Sequence, residues 1–276
     1  MPRAGLEGTE TVESGPRAGL HATVPGMKKR DRARRVLTVD IGGTHVKVLV
    51  SGLHGGQDGA RRIDSNPHLT PGQMVKAVRT LAQGWSFDAV AIGYPGVVWH
   101  GRPLIEPHHL GKGWVGFDYD AAFGKPVRMI NDAAMQAIGS YEGGRMLFLG
   151  LGTGLGSALI LGGVLEPMEL GHLPYRNGRT YEDYLGIPGL ARLGKKRWRR
   201  AVFDVVDRLG AAFEVDYVVL GGGNVAKLKK LPPRVRAGHN ANAFIGGFRL
   251  WTEKTWTTDP DPKLLQRTPR TGNRKS

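Results

Sequence analysis

Apolar residues fall in short unbroken runs, and the first two such pairs are built alike. Runs at 36–39 and 46–50 flank Asp40-Ile41-Gly42-Gly43-Thr44, and runs at 146–149 and 158–161 flank Gly150-Leu151-Gly152-Thr153-Gly154-Leu155-Gly156-Ser157. Short apolar runs bounded by glycine predict strands, so the chain is expected to hold one hairpin construction twice, over 37–50 and 145–161. Between them, Thr70-Pro71 is a helix start, and Met74, Val75, Val78, Leu81 and Ala82 give the helix an apolar face. Residues 87–92 predict a strand ending at Gly93-Tyr94-Pro95-Gly96. Residues 127–130 predict another, followed by Asn131-Asp132 and a helix over 133–138. Trp198, Val202, Val205, Val206, Leu209 and Phe213 mark a helix over 195–213. A strand at 217–220 ends in Gly221-Gly222-Gly223-Asn224, and 241–250 predict a last helix. Hairpins opening each half, then strand–helix alternation, indicate an α/β protein of two related lobes, expected at 36–125 and 126–251. Residues 1–35 and 252–276 lack a hydrophobic period and read as disordered tails.

Composition narrows the function classes. The 276 residues are 40% hydrophobic, enough for a normal core, and include no cysteine. Disulfides, thiolate zinc sites and cysteine nucleophiles are therefore excluded, and a cytoplasmic location is expected. No apolar run approaches the roughly 18 residues that span a bilayer, so no membrane partner is expected. The start lacks the apolar core of a secretory signal, and Met27, followed by Lys28-Lys29-Arg30, reads as an alternative start. The net charge is +15. Outside the tails the excess gathers in Arg192, Lys195, Lys196, Arg197, Arg199, Arg200 and in Lys227, Lys229, Lys230, Arg234, Arg236. Such a body attracts polyanions, although a solvated basic surface gives the same count.

The two glycine turns expose backbone N–H groups where no Cβ blocks a close approach, which suits phosphate. In the first, Asp40 ends a buried strand, Thr44 offers a hydroxyl and Lys47 a cation, a set able to position a metal-bound phosphate. The plain alternative is an ordinary hairpin. Neither turn has the G-x-G-x-x-G spacing of a dinucleotide site. Asn131-Asp132 puts a carboxylate at a strand-to-helix junction, as a general base or simply a helix cap. Glu169-Leu170-Gly171-His172 spaces Glu and His for one helical face, able to bond neighbouring sugar hydroxyls or share a metal, or reads as a polar loop. Gly221 to Gly223 would let a nucleotide lie against bare backbone, or serve as a flexible turn.

Taken in order, Asp40-Ile-Gly-Gly-Thr44, Gly93-Tyr-Pro-Gly96, Asn131-Asp132, Leu151-Gly-Thr-Gly-Leu-Gly156, Glu169-Leu-Gly-His172 and Gly221-Gly-Gly223 resemble the ROK sugar kinases, over about 36–250. Within that group the chain looks most like the polyphosphate glucokinases. The resemblance implies an actin-like ATPase (ribonuclease H-like) fold, two lobes around a cleft. It implies phosphoryl transfer from polyphosphate or ATP to the 6-hydroxyl of glucose or a related hexose. Asp132 would be the general base, and Asn131, Glu169, His172 and Glu182 sugar contacts. Gly42, Gly43, Thr44, Gly152, Thr153, Gly154 and Gly156 would belong to phosphate loops. Gly221, Gly222 and Gly223 would form the nucleotide or polyphosphate side. Mg²⁺ would bridge the donor phosphates near Asp40, no zinc is implied, and homodimers are common in the group. His109 stands where the family has a sugar-binding Asn, and the segment from 172 to 217 is short, so an abbreviated donor side beside 192–200 is expected. Two rivals remain. A DNA-binding regulator needs a module that 1–35 are too short to hold, so no specific nucleic acid is expected. A catalytically degenerate protein would bind sugar or polyanion without turnover.

Overall fold

The computed structural model describes residues 34–52, 59–239, 241–253 and 256. The expectations for residues 1–33 and for those after 256 lie outside the described residues. The first half runs β1 (Val36–Ile41), β2 (His45–Val50), β3 (Arg61–Asp64), α1 (Pro71–Leu81), β4 (Ala89–Tyr94), β5 (Val98–Trp99), β6 (Arg102–Pro103), α2 (Tyr119–Phe123), β7 (Val127–Asn131) and α3 (Asp132–Ser140). The second runs β8 (Arg145–Leu151), β9 (Leu155–Leu161), β10 (Val164–Met168), β11 (Pro174–Arg176), β12 (Arg179–Thr180), α4 (Tyr181–Leu185), α5 (Ile187–Ala212), β13 (Tyr217–Gly221), β14 (Val235–Ala237) and α6 (Asn242–Thr252).

Two five-stranded sheets result, ordered β3-β2-β1-β4-β7 and β10-β9-β8-β13-β14. Each has an antiparallel meander on one side and parallel strands on the other. The repeated hairpin is thus the visible part of a repeated sheet. Alternation along the strands sets the layers. On β8, Met146 and Phe148 face a core shared with α3 and α6, while Leu147 and Leu149 face one built on Trp198, Val202 and Val205 of α5. On β1, Leu37, Val39 and Ile41 face a third core with Met74 and Val78 of α1 and Tyr119 and Phe123 of α2. Helices α3 and α6 therefore form a layer between the two sheets, with α1 and α2 outside one and α5 outside the other. The architecture is the actin-like ATPase fold expected from the sequence, with two α/β lobes.

The boundary expected between 125 and 126 differs from the pairing. Residues 127–131 form β7, which lies parallel to β4 with Val90 opposite Val127, and so complete the first sheet. Helix α6, the last among the described residues, returns to pack on β1, β4 and α3. Its approach depends on glycine: a Cβ on Gly246 would lie 1.8 Å from the Met135 carbonyl oxygen, and one on Gly139 1.8 Å from that of Asn242. Arg249 caps the end of α3 by donating to the carbonyls of Ile138 (2.8 Å) and Tyr141 (3.0 Å). Part of the expected 252–276 tail belongs to the fold, for Thr252 ends α6. Trp256 is buried against Tyr141, edge to face at 5.7 Å. An indole gains more from burial than a polar, Pro-rich neighbourhood reveals. No helix among the described residues is long and apolar enough to cross a membrane.

Candidate active site

The parallel strands of both sheets end at one cavity of about 720 Å³. Its walls include Gly42, Gly43 and Thr44 after β1, Pro95 and Gly96 after β4, Asn131 at the end of β7 and Asp132 just after it. From the second sheet come Gly150, the stretch Gly152 to Ser157, and Gly222. Ligands gather at the carboxyl ends of such strands, where loops and helix N-termini present free N–H groups. The two glycine turns meet here: a Cβ on Gly43 would sit 3.5 Å from Thr153 Oγ1. Gly152, Thr153, Gly154 and Gly156 all line the space.

Asn131 and Asp132 divide their work. Asn131 is the helix cap: its Oδ1 accepts from the Ala134 N–H (3.1 Å), and its Nδ2 donates to the Gly96 carbonyl (3.2 Å). That leaves Asp132, first residue of α3, facing the cavity. One of its oxygens accepts from the Ala133 N–H at 2.8 Å. Burial, then the neighbouring Asp40 charge, push the Asp132 carboxyl up to about 7. A carboxylate poised there takes a proton from an alcohol far more readily than an ordinary Asp.

Glu169, His172 and Glu182 also line the cavity. Residues 170–172 form one 3-10 turn, not the α-helical face that spacing suggests, yet both Glu169 and His172 reach the cavity. Ser157 holds this turn to the second hairpin, accepting from the Leu170 N–H (3.0 Å) and donating to the Met168 carbonyl (2.7 Å). Glu182 Oε2 accepts from the Leu155 N–H at 3.0 Å, so the second glycine turn and this carboxylate are locked together. Gly154 makes that possible: a Cβ there would fall 2.1 Å from Glu182 Oε2. Burial pushes Glu169 up, Glu182 adds to this, and His172 and His108 oppose it.

His109 also lines the cavity, together with His108 and Leu110. Their loop is clamped by Glu106, whose carboxylate accepts from the N–H groups of Gly113 (3.2 Å), Trp114 (3.1 Å) and Val115 (3.3 Å). Desolvation opposes ionisation of Glu106, but those three bonds together hold its carboxyl below the usual range. The sequence reading missed Glu106, His108, Ser157 and Gln136, which lines the cavity one turn along α3 from Asp132. Only the i, i+4 spacing of Gln136 was a usable signal; the others depend on which loop meets which.

Four expected residues stand outside the lining. Asp40 is buried and paired with Lys47, its cross-strand partner, at 3.6 Å, so both lie behind the first turn. Burial pushes the Asp40 carboxyl up, and Lys47 pulls it back. Of the three glycines after β13, only Gly222 reaches the cavity. Gly221 is small because Phe148 fills its side: a Cβ would be 2.4 Å from the ring. Gly223 lies outside the cavity lining. No group of three or more His, Asp or Glu among the described residues is placed to hold a metal ion.

The chain is similar in sequence and in fold to known proteins. The chain is 27% identical over 214 residues to the polyphosphate glucokinase of Mycobacterium tuberculosis (strain ATCC 25177 / H37Ra), covering 71% of this chain and 80% of that one. It is 26% identical over 271 residues to the polyphosphate glucokinase of Mycobacterium leprae (strain TN), covering 89% and 82%. Its fold matches the inorganic polyphosphate/ATP-glucomannokinase of Arthrobacter sp. strain KM with a TM-score of 0.66 at 24% identity, over 78% of this chain and 97% of that one. Residues 36–176 match the family model described as ROK family, and on that match, slightly over half of its length, the chain belongs to the ROK family.

Proposed function

We propose that this protein is a sugar kinase that moves the terminal phosphoryl group of polyphosphate or ATP to the 6-hydroxyl of glucose or a closely related hexose. The observation that carries the reading is the meeting of two bare-backbone turns across one cavity, with a high-pKa carboxyl at Asp132 on its floor. Gly42 and Gly152 spend their N–H groups on the carbonyls of His45 and Gly150 inside the turns, so the N–H groups of 43–44 and 153–154 would hold the donor phosphates, and Thr44 and Thr153 would add hydroxyls. Glu169, His172, Glu182 and His109 would fix the sugar by its hydroxyls, leaving one at Asp132. Asp132 would accept that proton as the bond to phosphorus forms. Phosphoryl transfer needs alignment and charge neutralisation more than covalent help from the protein.

Mg²⁺ would be held chiefly by the donor's own phosphates, with Asp132 the carboxylate facing the cavity from the first lobe and Asp40, paired to Lys47, behind the first turn. A site with one or two carboxylates suits an ion that keeps most of its waters and binds phosphate. It would neutralise charge on the donor. Polyphosphate is the favoured donor on two grounds. The M. tuberculosis and M. leprae relatives are polyphosphate glucokinases. Between β13 and α6 the described chain has only one 3-10 turn and the short β14, little from which to build a closed pocket for a base. Glucose, mannose, glucosamine and N-acetylmannosamine assayed against ATP, GTP and polyphosphate test the reading. Sugar 6-phosphate is expected with glucose and polyphosphate. Failure of every pair in the presence of Mg²⁺ would leave the degenerate binder as the better account.

A further inference from the structure

Two stretches of this chain carry no acidic residue at all: 187–203, in α5, and 217–252, from β13 to the end of α6. The fold brings them together beside the second glycine turn through a relay of hydrogen bonds. Asn224 Nδ2 donates to the Gly152 carbonyl at 3.0 Å, and Lys227 Nζ donates to Asn224 Oδ1 at 2.6 Å. Arg199 Nε then donates to the Lys227 carbonyl at 2.7 Å. Asn224 is buried, so the first link is fixed in place. Gly152 lines the cavity, so the relay leads from the phosphate turn to the cationic side of α5. The start of α5 is tied to the same turn, where the Ile187 N–H donates to the Thr153 carbonyl at 3.0 Å.

Among the described residues, no carboxylate neutralises the cations along this path. Among the described residues, Lys195, Lys196, Arg197, Arg199, Arg200, Lys227, Lys229 and Lys230 make no salt bridge. Farther along α5 the pattern changes, for Arg208 and Arg176 share Asp204. Stability does not explain the first group. The helix restarts after Gly194 (φ 69°, ψ 160°), which puts Lys195 and Lys196 in an opening turn where the helix dipole disfavours cations.

We propose that Lys227 and Arg199, continued by Lys195 and Lys196, form an exit track for a linear polyanion whose reacting end lies between the glycine turns. The ligand class is inorganic polyphosphate longer than the cavity. This rests on the kinase reading for the position of the reacting end, and it adds that affinity grows with donor length.

The test is equilibrium binding, separate from turnover. Fluorescently labelled long-chain polyphosphate and tripolyphosphate are titrated against the wild type and Lys195→Gln/Lys196→Gln, both exposed positions whose change leaves the core intact. Binding of the long chain should weaken roughly tenfold, and that of tripolyphosphate much less. The slope of log affinity against log salt should fall by about 1.4 for the long chain, at about 0.7 per flexible-polyanion contact. Equal losses for both lengths, or none, would overturn the track. So would single-stranded RNA displacing long-chain polyphosphate at matched phosphate, because the surface would then be a general polyanion binder. Absence of sugar phosphorylation in the wild type would count against the kinase reading while leaving this binding result readable.

Discussion

Replacing Asp132 with Asn keeps shape and the 2.8 Å bond from the Ala133 N–H but removes the base. Loss of a general base costs roughly 10²–10⁴ in rate, about 3–5 kcal/mol of transition-state stabilisation. The loss should fall on kcat, with the sugar KM changed only a few-fold. In the wild type, the Asp132 carboxyl at about 7 must be ionised to act, so kcat/KM should rise with pH through 7 and level above it. The residual rate of the variant should lose that rise. Stability should move the other way. The folded protein binds this proton more tightly than the unfolded chain, so the group stabilises below pH 4, and that contribution disappears as pH rises to 7. Three units at about 1.4 kcal/mol each put the cost of the ionised, buried carboxylate at no more than about 4 kcal/mol above pH 7. Asp132→Asn should therefore melt higher than wild type at pH 8, with little difference at pH 4. Steady-state kinetics from pH 5.5 to 9 and parallel thermal melts check both halves. Retained turnover, or a wild-type limb that persists unchanged in the variant, would refute the assignment.

Other substitutions probe the supports of the site. Gly154→Ala drives a methyl into the Glu182 carboxylate and should raise the sugar KM about tenfold or more, measured by steady-state kinetics and calorimetric titration. Glu106→Ala frees three N–H groups, should cost roughly 1–3 kcal/mol and should raise amide exchange across 108–115, followed by mass spectrometry. Its sugar KM should rise more than kcat falls. Trp256→Ala removes a buried indole from the core shared by both sheets and should cost about 3–5 kcal/mol in urea unfolding, with the pH–rate profile unchanged.

The motifs were legible because each couples a strand end to glycine. Glycine punctuates apolar runs clearly enough that the two hairpins could be placed, and the Asn131-Asp132 pair marked the α3 start, whereas 170–172 is a 3-10 turn and not the helical face its spacing suggested. Pairing was not legible. Nothing local in residues 127–131 says that they join β4, since a buried parallel strand reads the same in either sheet. Nor does the run Gly221 to Gly223 reveal that Phe148 packs against the first glycine while the second lines the cavity. The Glu106 clamp escaped for a similar reason: its partners are backbone N–H groups seven to nine residues on, a contact that no side-chain pattern records. Trp256 was hidden by its polar neighbours, although a lone tryptophan in such a stretch is itself a reason to expect an anchor.

A crystal structure of the protein with glucose, Mg²⁺ and tripolyphosphate tests the central claim most directly. The account predicts electron density for linked phosphates between the turns at 42–44 and 152–154, with the sugar 6-hydroxyl within hydrogen-bond distance of Asp132. Phosphates bound outside that cavity, or a sugar turned so that Asp132 meets no hydroxyl, would contradict it.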